Sequence, residues 1–168
     1  TGYATTDFNL WPEISRTILV MLMFIGACAG STGGGFKISR LLILCKAIPK
    51  QLSLVIHPRE VKVIRMDGKP IDHNTLRSTN VYLAIYFFIL LVSTLLISVD
   101  NFNLTTNFTA VASTLNNIGP GLDGVGPTRN FGMYSDFSKF VLMFDMLAGR
   151  LELYPLLILF MPSLWRRK

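Results

Sequence analysis

The sequence predicts an all-α membrane protein in which two membrane-spanning helices flank a short helix and a glycine-rich loop. Three observations support this fold class. The 168 residues are 51% hydrophobic and only 15% charged, whereas soluble domains usually carry about 25% charged residues. Residues 81–99 contain no charged side chain, and residues 137–165 form a second long apolar segment. Between them, residues 105–121 read TTNFTAVASTLNNIGPG, a short apolar stretch that ends in glycine and proline.

This short stretch predicts a re-entrant helix followed by a loop that faces an ion path. Asn107–Leu115 is too short to cross a hydrocarbon core, which needs ~20 residues. Non-helical backbone such as Asn116–Gly121 is tolerated at membrane depth only where it is buried in protein or lines a cavity. The C-terminal end of a helix carries a negative partial charge, and carbonyls beyond it can replace the water around a cation. Gly119 allows the backbone conformation that turns such carbonyls inward.

An ordinary outer loop is the alternative interpretation of Asn116–Gly119. The helix that precedes this loop is apolar and uncharged, which is not typical of a helix in an exposed loop. We therefore interpret the segment as an ion-selective element.

The placement of basic residues predicts the orientation in the membrane. A central block of Lys and Arg comprises Lys37, Arg40, Lys46, Lys50, Arg59, Lys62, Arg65, Lys69 and Arg77, and Arg166, Arg167 and Lys168 close the sequence. Because cytoplasmic loops are enriched in Lys and Arg, residues 37–79 and the C-terminus are predicted to be cytoplasmic and residues 100–136 to lie outside. Nucleic-acid binding is the alternative explanation, but apolar segments flank the basic block on both sides.

The first part of the sequence predicts two helices separated by a glycine-rich break. After a polar lead-in, Trp11-Pro12-Glu13 has the signature of a helix start, with proline and an acidic residue in the first turn. The apolar helix is interrupted by Gly26–Gly35, GACAGSTGGG, because each glycine disfavours a helix by about 1 kcal/mol. A helical pattern resumes over Phe36–Ile48.

Three units follow from these boundaries. Residues 1–48 contain the lead-in, the broken helix and its continuation, and residues 49–79 form a cytoplasmic connector. Within the connector, Asp67-Gly68 indicates a small hairpin. Residues 80–168 form a helix, a short helix with its loop, and a final helix that Trp165 anchors at the inner interface. The sequence begins without Met and is predicted to be a fragment of a longer protein.

The Gly26–Gly35 segment admits three interpretations. A phosphate-binding loop fails because no Lys-Ser/Thr follows at the required spacing and no strand precedes it. Gly26 and Gly30 form a GxxxG pattern, which is typical of close helix packing. Packing does not require Ser31-Thr32-Gly33-Gly34-Gly35, so we interpret the segment as a flexible plug in the ion path.

The last apolar segment contains three ionisable residues, Asp145, Arg150 and Glu152. A charge near the membrane centre costs ~2.5–3.5 kcal/mol on insertion scales, so each residue needs a partner or water. At about 100° per residue, Arg150 and Glu152 point to different sides of the helix. Arg150 therefore needs a partner on another segment. A structural salt bridge and a role in the pore both remain open.

Three strings in the sequence are compositionally unusual: GACAGSTGGGFK at 26–37, TLNNIGPG at 114–121 and GRLE at 149–152. The opening Thr1-Gly2-Tyr3 with Asp7-Phe8 and Trp11-Pro12, and the C-terminal Pro-x-x-Trp-Arg, form a further pattern. Together they resemble the Trk/Ktr/HKT superfamily of potassium transport proteins, most closely its TrkH-type membrane subunit. The resemblance covers essentially the whole chain.

The resemblance implies four helix–pore-loop–helix repeats around a central pore, a K⁺-channel-like architecture. This chain would hold the end of the third repeat and the whole fourth repeat. The implied filter residues are Gly2 in the third repeat and Asn116, Asn117, Ile118 and Gly119 in the fourth. K⁺ would bind at Thr1, Gly2, Asn117, Ile118 and Gly119. The implied gate consists of an intramembrane loop, Gly30, Ser31, Thr32, Gly33, Gly34 and Gly35, and of Arg150, which approaches it.

The resemblance further implies K⁺ uptake across the bacterial inner membrane, without enzymatic chemistry and without a cofactor. The expected partners are membrane lipid, a second copy of the full-length protein and a cytosolic nucleotide-binding regulatory subunit, but no nucleic acid. A secondary carrier with Gly26–Gly35 as an unwound substrate site is one alternative, although no ionisable residue lies within 26–36. The other alternative is a membrane scaffold that does not transport ions, but a scaffold does not explain the short helix.

Overall fold

The computed structural model describes residues 2–28, 31, 34–59, 63–66 and 68–151. Within these residues the chain forms helices and one small hairpin: α1 (Glu13–Ile25), α2 (Ile38–Ile56), β1 (Arg65–Met66), β2 (Lys69–Pro70), α3 (His73–Ile97), α4 (Leu104–Leu115) and α5 (Asp136–Leu151). The prediction of a helical fold is confirmed. The predictions for Thr1, Gly30, Thr32, Gly33, Glu152 and Trp165 lie outside the described residues.

Helix α1 ends where the glycine-rich break begins. Gly26 follows its last residue and has φ 71°, a conformation that favours glycine. A Cβ at Gly26 would lie 2.9 Å from the backbone nitrogen of Lys37, so the two ends of the break are in contact. The Ile38 N–H donates to the carbonyl of Ala27 at 3.1 Å. The residues at the two ends of the break are therefore in contact, and Gly26 follows the last residue of α1 rather than lying on a helix face, as a GxxxG packing motif would require.

Helix α2 runs further than the sequence predicted. The pattern expected to end at Ile48 continues to Ile56, with Pro49 inside the helix. Proline removes one intrahelical hydrogen bond, but the helix continues beyond it for seven residues. The connector is shorter as a result. Its predicted hairpin is confirmed, with Arg65 paired to Pro70 and Met66 to Lys69.

Helix α3 is the long apolar element of the chain. Among the described residues, the segment His73–Asp100 alone is long and apolar enough to cross a membrane. Asp72 precedes the helix as its N-cap residue, although its side chain makes no capping bond. At the other end Asp100 accepts hydrogen bonds from the backbone N–H and hydroxyl of Ser135, at 2.9 and 3.1 Å. The end of α3 is therefore tied to the start of α5.

Helix α4 begins three residues earlier than predicted and is buried on nearly all sides. Its N-cap is Asn103, whose side chain accepts a bond from the Thr106 N–H at 2.8 Å, so the cap lies before the predicted start at Asn107. α4 packs against α1, α3 and α5. Small residues permit this close packing, and the hydroxyls of Thr109 and Thr114 donate to carbonyls one turn earlier. Hydroxyl groups that bond within the helix can be buried at little cost.

Candidate functional site

The two predicted filter glycines are neighbours in the structure. A Cβ at Gly119 would lie 3.1 Å from the Cα of Gly2, and one at Gly2 would lie 3.6 Å from the carbonyl oxygen of Ile118. Both glycines have positive φ, 78° at Gly2 and 115° at Gly119. Residues with a side chain rarely adopt this backbone conformation. Glycine is therefore favoured at each position for two reasons: the backbone angle, and the close approach of the neighbouring segment.

The loop after α4 is tied back to the helix by Ser113. The Ser113 carbonyl accepts from the Ile118 N–H at 2.9 Å, and the Ser113 hydroxyl donates to the carbonyl of Gly119 at 2.5 Å. Asn117 has a left-handed backbone conformation, φ 55°, which reverses the chain direction beyond the helix. These bonds hold Ile118 and Gly119 close to the C-terminal end of α4, where the helix dipole is negative.

Asn116 is buried and is held by α3. The hydroxyl of Tyr86 donates to its Oδ1 at 2.8 Å, and its Nδ2 donates to the carbonyl of Ala112 at 2.7 Å. The Tyr86 ring contacts Phe24 of α1 and Phe36, which begins the chain after the glycine-rich break. We call residues 116–119, the predicted filter segment after α4, the filter loop. Tyr86 therefore contacts the start of this loop and the residues on both sides of the glycine-rich break.

The two unusual segments of the sequence meet at Asn116. A Cβ at Gly34 would lie 2.8 Å from the carbonyl oxygen of Asn116 and 3.0 Å from Nδ2 of Asn117. Gly35 has φ 84°, and a Cβ there would lie 2.6 Å from Oδ1 of Asn116. The described part of the glycine-rich break thus packs against the base of the filter loop, where no side chain fits.

Helix α5 closes the other side of the loop. A Cβ at Gly149 would lie 1.9 Å from the carbonyl oxygen of Leu115, so α5 crosses the end of α4 with its backbone in contact. The Asn117 side chain donates to the carbonyl of Met146 at 3.2 Å. Arg150 follows Gly149 and is exposed, without a hydrogen bond or ion pair in the described part of the chain. Its predicted contact with the glycine-rich loop stays a prediction.

Asp145 has a partner of the kind that the sequence required. The carboxylate is fully buried between α5 and α3, and its Oδ1 accepts from the hydroxyl of Ser93 at 2.7 Å. This contact joins α3 to α5, and Oδ2 of Asp145 has no hydrogen-bond partner among the described residues. Asp145 is therefore assigned to helix packing rather than to the site.

An open groove of about 510 Å³ runs along the filter loop. Its lining includes Ser113, Asn117, Ile118 and Gly119 on one side and Met143 and Met146 of α5 on the other. The loop can therefore be reached from this side, and the opposite wall is largely apolar.

Sequence reasoning missed three residues that shape the site. Ser113 stands out only as a polar residue in an apolar helix, and Tyr86 only as a tyrosine in an apolar span. Gly149 belongs to the GRLE string, but nothing in that string indicates contact with Leu115. Tyr86 and Gly149 act through contacts with distant segments, and Ser113 acts through bonds to the loop that follows its own helix. Periodicity reveals none of these contacts.

Comparison with known proteins adds three findings. The family model described as TrkH, cation transport protein, matches residues 1–167. The Trk system potassium uptake protein TrkH of Vibrio parahaemolyticus is 39% identical over 165 residues, which cover 98% of this chain and 34% of that protein. The corresponding protein of Escherichia coli strain K12 is 36% identical over 165 residues, with the same shares. The chain thus spans about a third of the length of the curated relatives it matches.

The fold also has a solved counterpart. The crystal structure of the potassium transporter TrkH from Vibrio parahaemolyticus matches with a TM-score of 0.87 and 39% identity, over 98% of this chain and 35% of that chain.

Proposed function

Because the chain belongs to the TrkH family of cation transport proteins, we propose that it contributes two filter segments and an intramembrane gate to a protein that takes up K⁺. In this proposal the chain forms the end of the third repeat and the whole fourth repeat of a pore in the bacterial cytoplasmic membrane. The contact between Gly2 and Gly119 carries the proposal. Two glycines with positive φ, far apart in sequence, lie side by side at the loop that follows a buried short helix.

This geometry supports a carbonyl-lined ion path. Selective cation sites in channels consist of backbone carbonyls that replace the hydration shell of the ion. The carbonyls of residues 116–119, together with those of Thr1 and Gly2, are the groups that would bind K⁺. The end of α4 adds a negative partial charge toward the ion, because its last carbonyls lack partners in the helix.

The contact of Gly34 and Gly35 with Asn116 supports a gate at the inner side of the filter. A glycine-rich loop can lie across an ion path and move aside with little rearrangement, because glycine adds no side chain and allows many backbone conformations. Arg150 would hold the closed loop, since guanidinium has five donors that suit free backbone carbonyls. Residues 30–35 and Arg150 are thus the proposed gate.

The proposed partners follow from the family and from the charge distribution. Curated relatives are named as proteins of a Trk system. The full-length protein would form a homodimer in the membrane and bind a cytosolic nucleotide-binding regulatory subunit. Residues 37–79, with the basic block and the hairpin, would face the cytoplasm and offer the contact surface for that subunit. Nucleic acid, a cofactor and enzymatic chemistry have no part in the proposal.

Ion uptake by the full-length protein tests the proposal. The protein is expressed in a bacterial strain that lacks other K⁺ uptake systems, and K⁺ and Na⁺ uptake are measured. Gly2→Ser and Gly119→Ser should each lower K⁺/Na⁺ discrimination by about tenfold, because a strained backbone conformation costs roughly 1–2 kcal/mol.

Gly68→Ser is a matched control for backbone strain. Gly68 has φ 76°, close to that of Gly2, but a Cβ there would meet nothing within 4 Å. We expect this variant to keep the selectivity of the wild-type protein. Unchanged uptake of both ions in the Gly2 and Gly119 variants would remove these residues from the filter.

A further inference from the structure

The side chain of Asn9 joins the N-terminal segment to the linker between α4 and α5. Its Oδ1 accepts from the Asp123 N–H at 2.8 Å, and its Nδ2 donates to the Asp123 carbonyl at 3.4 Å. One amide thus engages both backbone polar groups of a residue 114 positions away in sequence. We call these two bonds the Asn9–Asp123 clasp.

Both sides of the clasp are held in place. Asp7 accepts from the backbone N–H of Asn9 at 3.0 Å and fixes the turn that presents the amide. Asp123 has φ 57°, and its carboxylate accepts hydrogen bonds from the side chains of Asn103 and Thr106. The strained backbone of Asp123 is therefore stabilised by the start of α4.

Gly126 shows that the linker is shaped around Asn9. A Cβ at Gly126 would lie 1.9 Å from Nδ2 of Asn9, and the three nearest atoms all belong to the Asn9 side chain. The φ of Gly126 is −65°, which any residue adopts. Glycine is thus required at this position for one reason, the space that the amide of Asn9 occupies.

The clasp lies a few residues beyond the two filter glycines. Asn9 follows Gly2 in the N-terminal segment, and Asp123 follows Gly119 in the linker after α4. Gly2 and Gly119 touch through their backbones and share no hydrogen bond among those found in the described residues. The clasp adds two hydrogen bonds between these segments, besides the bond that the Thr128 hydroxyl donates to the carboxylate of Asp7 at 3.3 Å. Of these bonds, those of the clasp engage the linker backbone itself, and they therefore fix its position relative to the N-terminal segment.

We propose that Asn9 is a positioning residue for ion selectivity, which sets the register of the two filter segments through the Asn9–Asp123 clasp. This inference rests on the proposed function. Discrimination between K⁺ and Na⁺ depends on the number and placement of the carbonyls around the ion. Asn9 does not contact the ion, and it acts by holding Gly2 and Gly119 in their relative position.

A mutant cycle on the full-length protein tests this role, with K⁺ uptake and its inhibition by Na⁺ as the readout. Asn9→Ala removes both bonds of the clasp and should lower K⁺/Na⁺ discrimination about three- to tenfold, the range for one or two net hydrogen bonds. Gly126→Ala should have a similar effect, because its methyl group displaces the amide. The double variant Asn9→Ala/Gly126→Ala should be no worse than Asn9→Ala, since the clash is gone.

Asn130→Ala is the matched control. Asn130 lies in the same linker, but its side chain bonds to the nearby Gly132 N–H at 2.9 Å and not to the N-terminal segment. We expect this variant to keep the wild-type selectivity. A purely structural role of Asn9 would lower the amount of protein in the membrane and the uptake of both ions together, which immunoblotting and uptake rates detect.

Three outcomes separate the possibilities. If the wild-type protein shows no K⁺ uptake, the proposed function fails and the clasp has no filter to position. If K⁺ uptake is present and Asn9→Ala keeps the wild-type K⁺/Na⁺ ratio, the role of Asn9 is overturned. If the effects of Asn9→Ala and Gly126→Ala simply add, the two residues act independently and the clasp is not the cause.

Discussion

At the residue scale, two tyrosines hold the opposite ends of α4 with the same type of bond. Tyr86 donates to Oδ1 of Asn116 at 2.8 Å, and Tyr134 donates to Oδ1 of Asn107 at 2.9 Å. Burial raises the pKa of Tyr134 to about 12, so its hydroxyl stays protonated and remains a donor at physiological pH. The two ends of α4 have different neighbours, because the filter loop begins at the Asn116 end and not at the Asn107 end.

Tyr86→Phe should change ion selectivity, whereas Tyr134→Phe should not. Each substitution keeps the ring and removes one hydroxyl, which leaves a buried amide oxygen without its donor at a cost of about 1–3 kcal/mol. At Asn116 that cost falls on the base of the filter, so K⁺/Na⁺ discrimination should decrease several-fold. Uptake assays of both ions measure this. Equal loss of selectivity in the two variants would mean that α4 responds as one rigid body.

At the element scale, the described part of the glycine-rich break packs against the residue that caps the C-terminal end of α4. The break is closed at its ends by the contact of Gly26 with Lys37 and packs against Asn116 through Gly34. An ordinary connecting loop lies on the surface and is free of such close contacts. The arrangement supports the proposed plug at the base of the proposed filter.

Gly34→Ala should raise basal K⁺ flux. The added methyl group would lie 2.8 Å from the carbonyl oxygen of Asn116, a backbone atom that cannot yield easily, so the loop must move away. Arg150→Ala should act in the same direction, and the double variant should add little if both changes open the same gate. Flux through the full-length protein in liposomes without the proposed regulatory subunit measures this.

Gly132→Ala provides the control for an added methyl group. A Cβ at Gly132 would lie 2.8 Å from Oδ1 of Asn130, an exposed side chain that can rotate away. We expect wild-type flux from this variant. A loss of flux in both Gly34→Ala and Arg150→Ala would mean that the loop is needed for conduction and is not a gate.

At the scale of the whole molecule, the length of α3 sets the distance between the predicted cytoplasmic side and the predicted outer side of the protein. The hairpin precedes α3, and the linker that contains Thr128 follows it. The apolar segment His73–Asp100 has 28 residues, which at 1.5 Å per residue exceeds the ~30 Å of a hydrocarbon core. Segments at its two ends can therefore lie on opposite sides of a membrane.

Cysteine labelling of intact cells tests the predicted orientation. The cysteine introduced by Thr128→Cys should react with a membrane-impermeant reagent, because Thr128 is exposed in the linker predicted to lie outside. The cysteine introduced by Lys69→Cys, in the hairpin of the basic connector, should react only after the membrane is permeabilised. Cys28 and Cys45 are replaced first, since both are exposed. The reverse labelling pattern would invert the topology and the direction of the pore loop.

Four features are predictable from the amino-acid sequence alone: the helical class, the glycine-rich break, the hairpin, and the short helix with its loop. These features depend on local properties: the apolar pattern, the high cost of glycine in a helix and the turn preference of Asp-Gly. Boundaries were less accurate. α2 continues through Pro49, and α4 starts from the cap at Asn103, because packing of a helix can outweigh weak local signals for its ends.

Which distant segments meet cannot be predicted in this way. The proximity of Gly2 to Gly119, of Gly34 to Asn116 and of Gly149 to Leu115 follows from how the helices pack around α4. Resemblance implied filter and gate residues, but not the bonds of Tyr86, Ser113 or Asn9 that hold the site. Such contacts join residues without any sequence periodicity in common. These contacts form only once packing of the helices restricts the chain to one conformation. A local sequence pattern therefore does not reveal them.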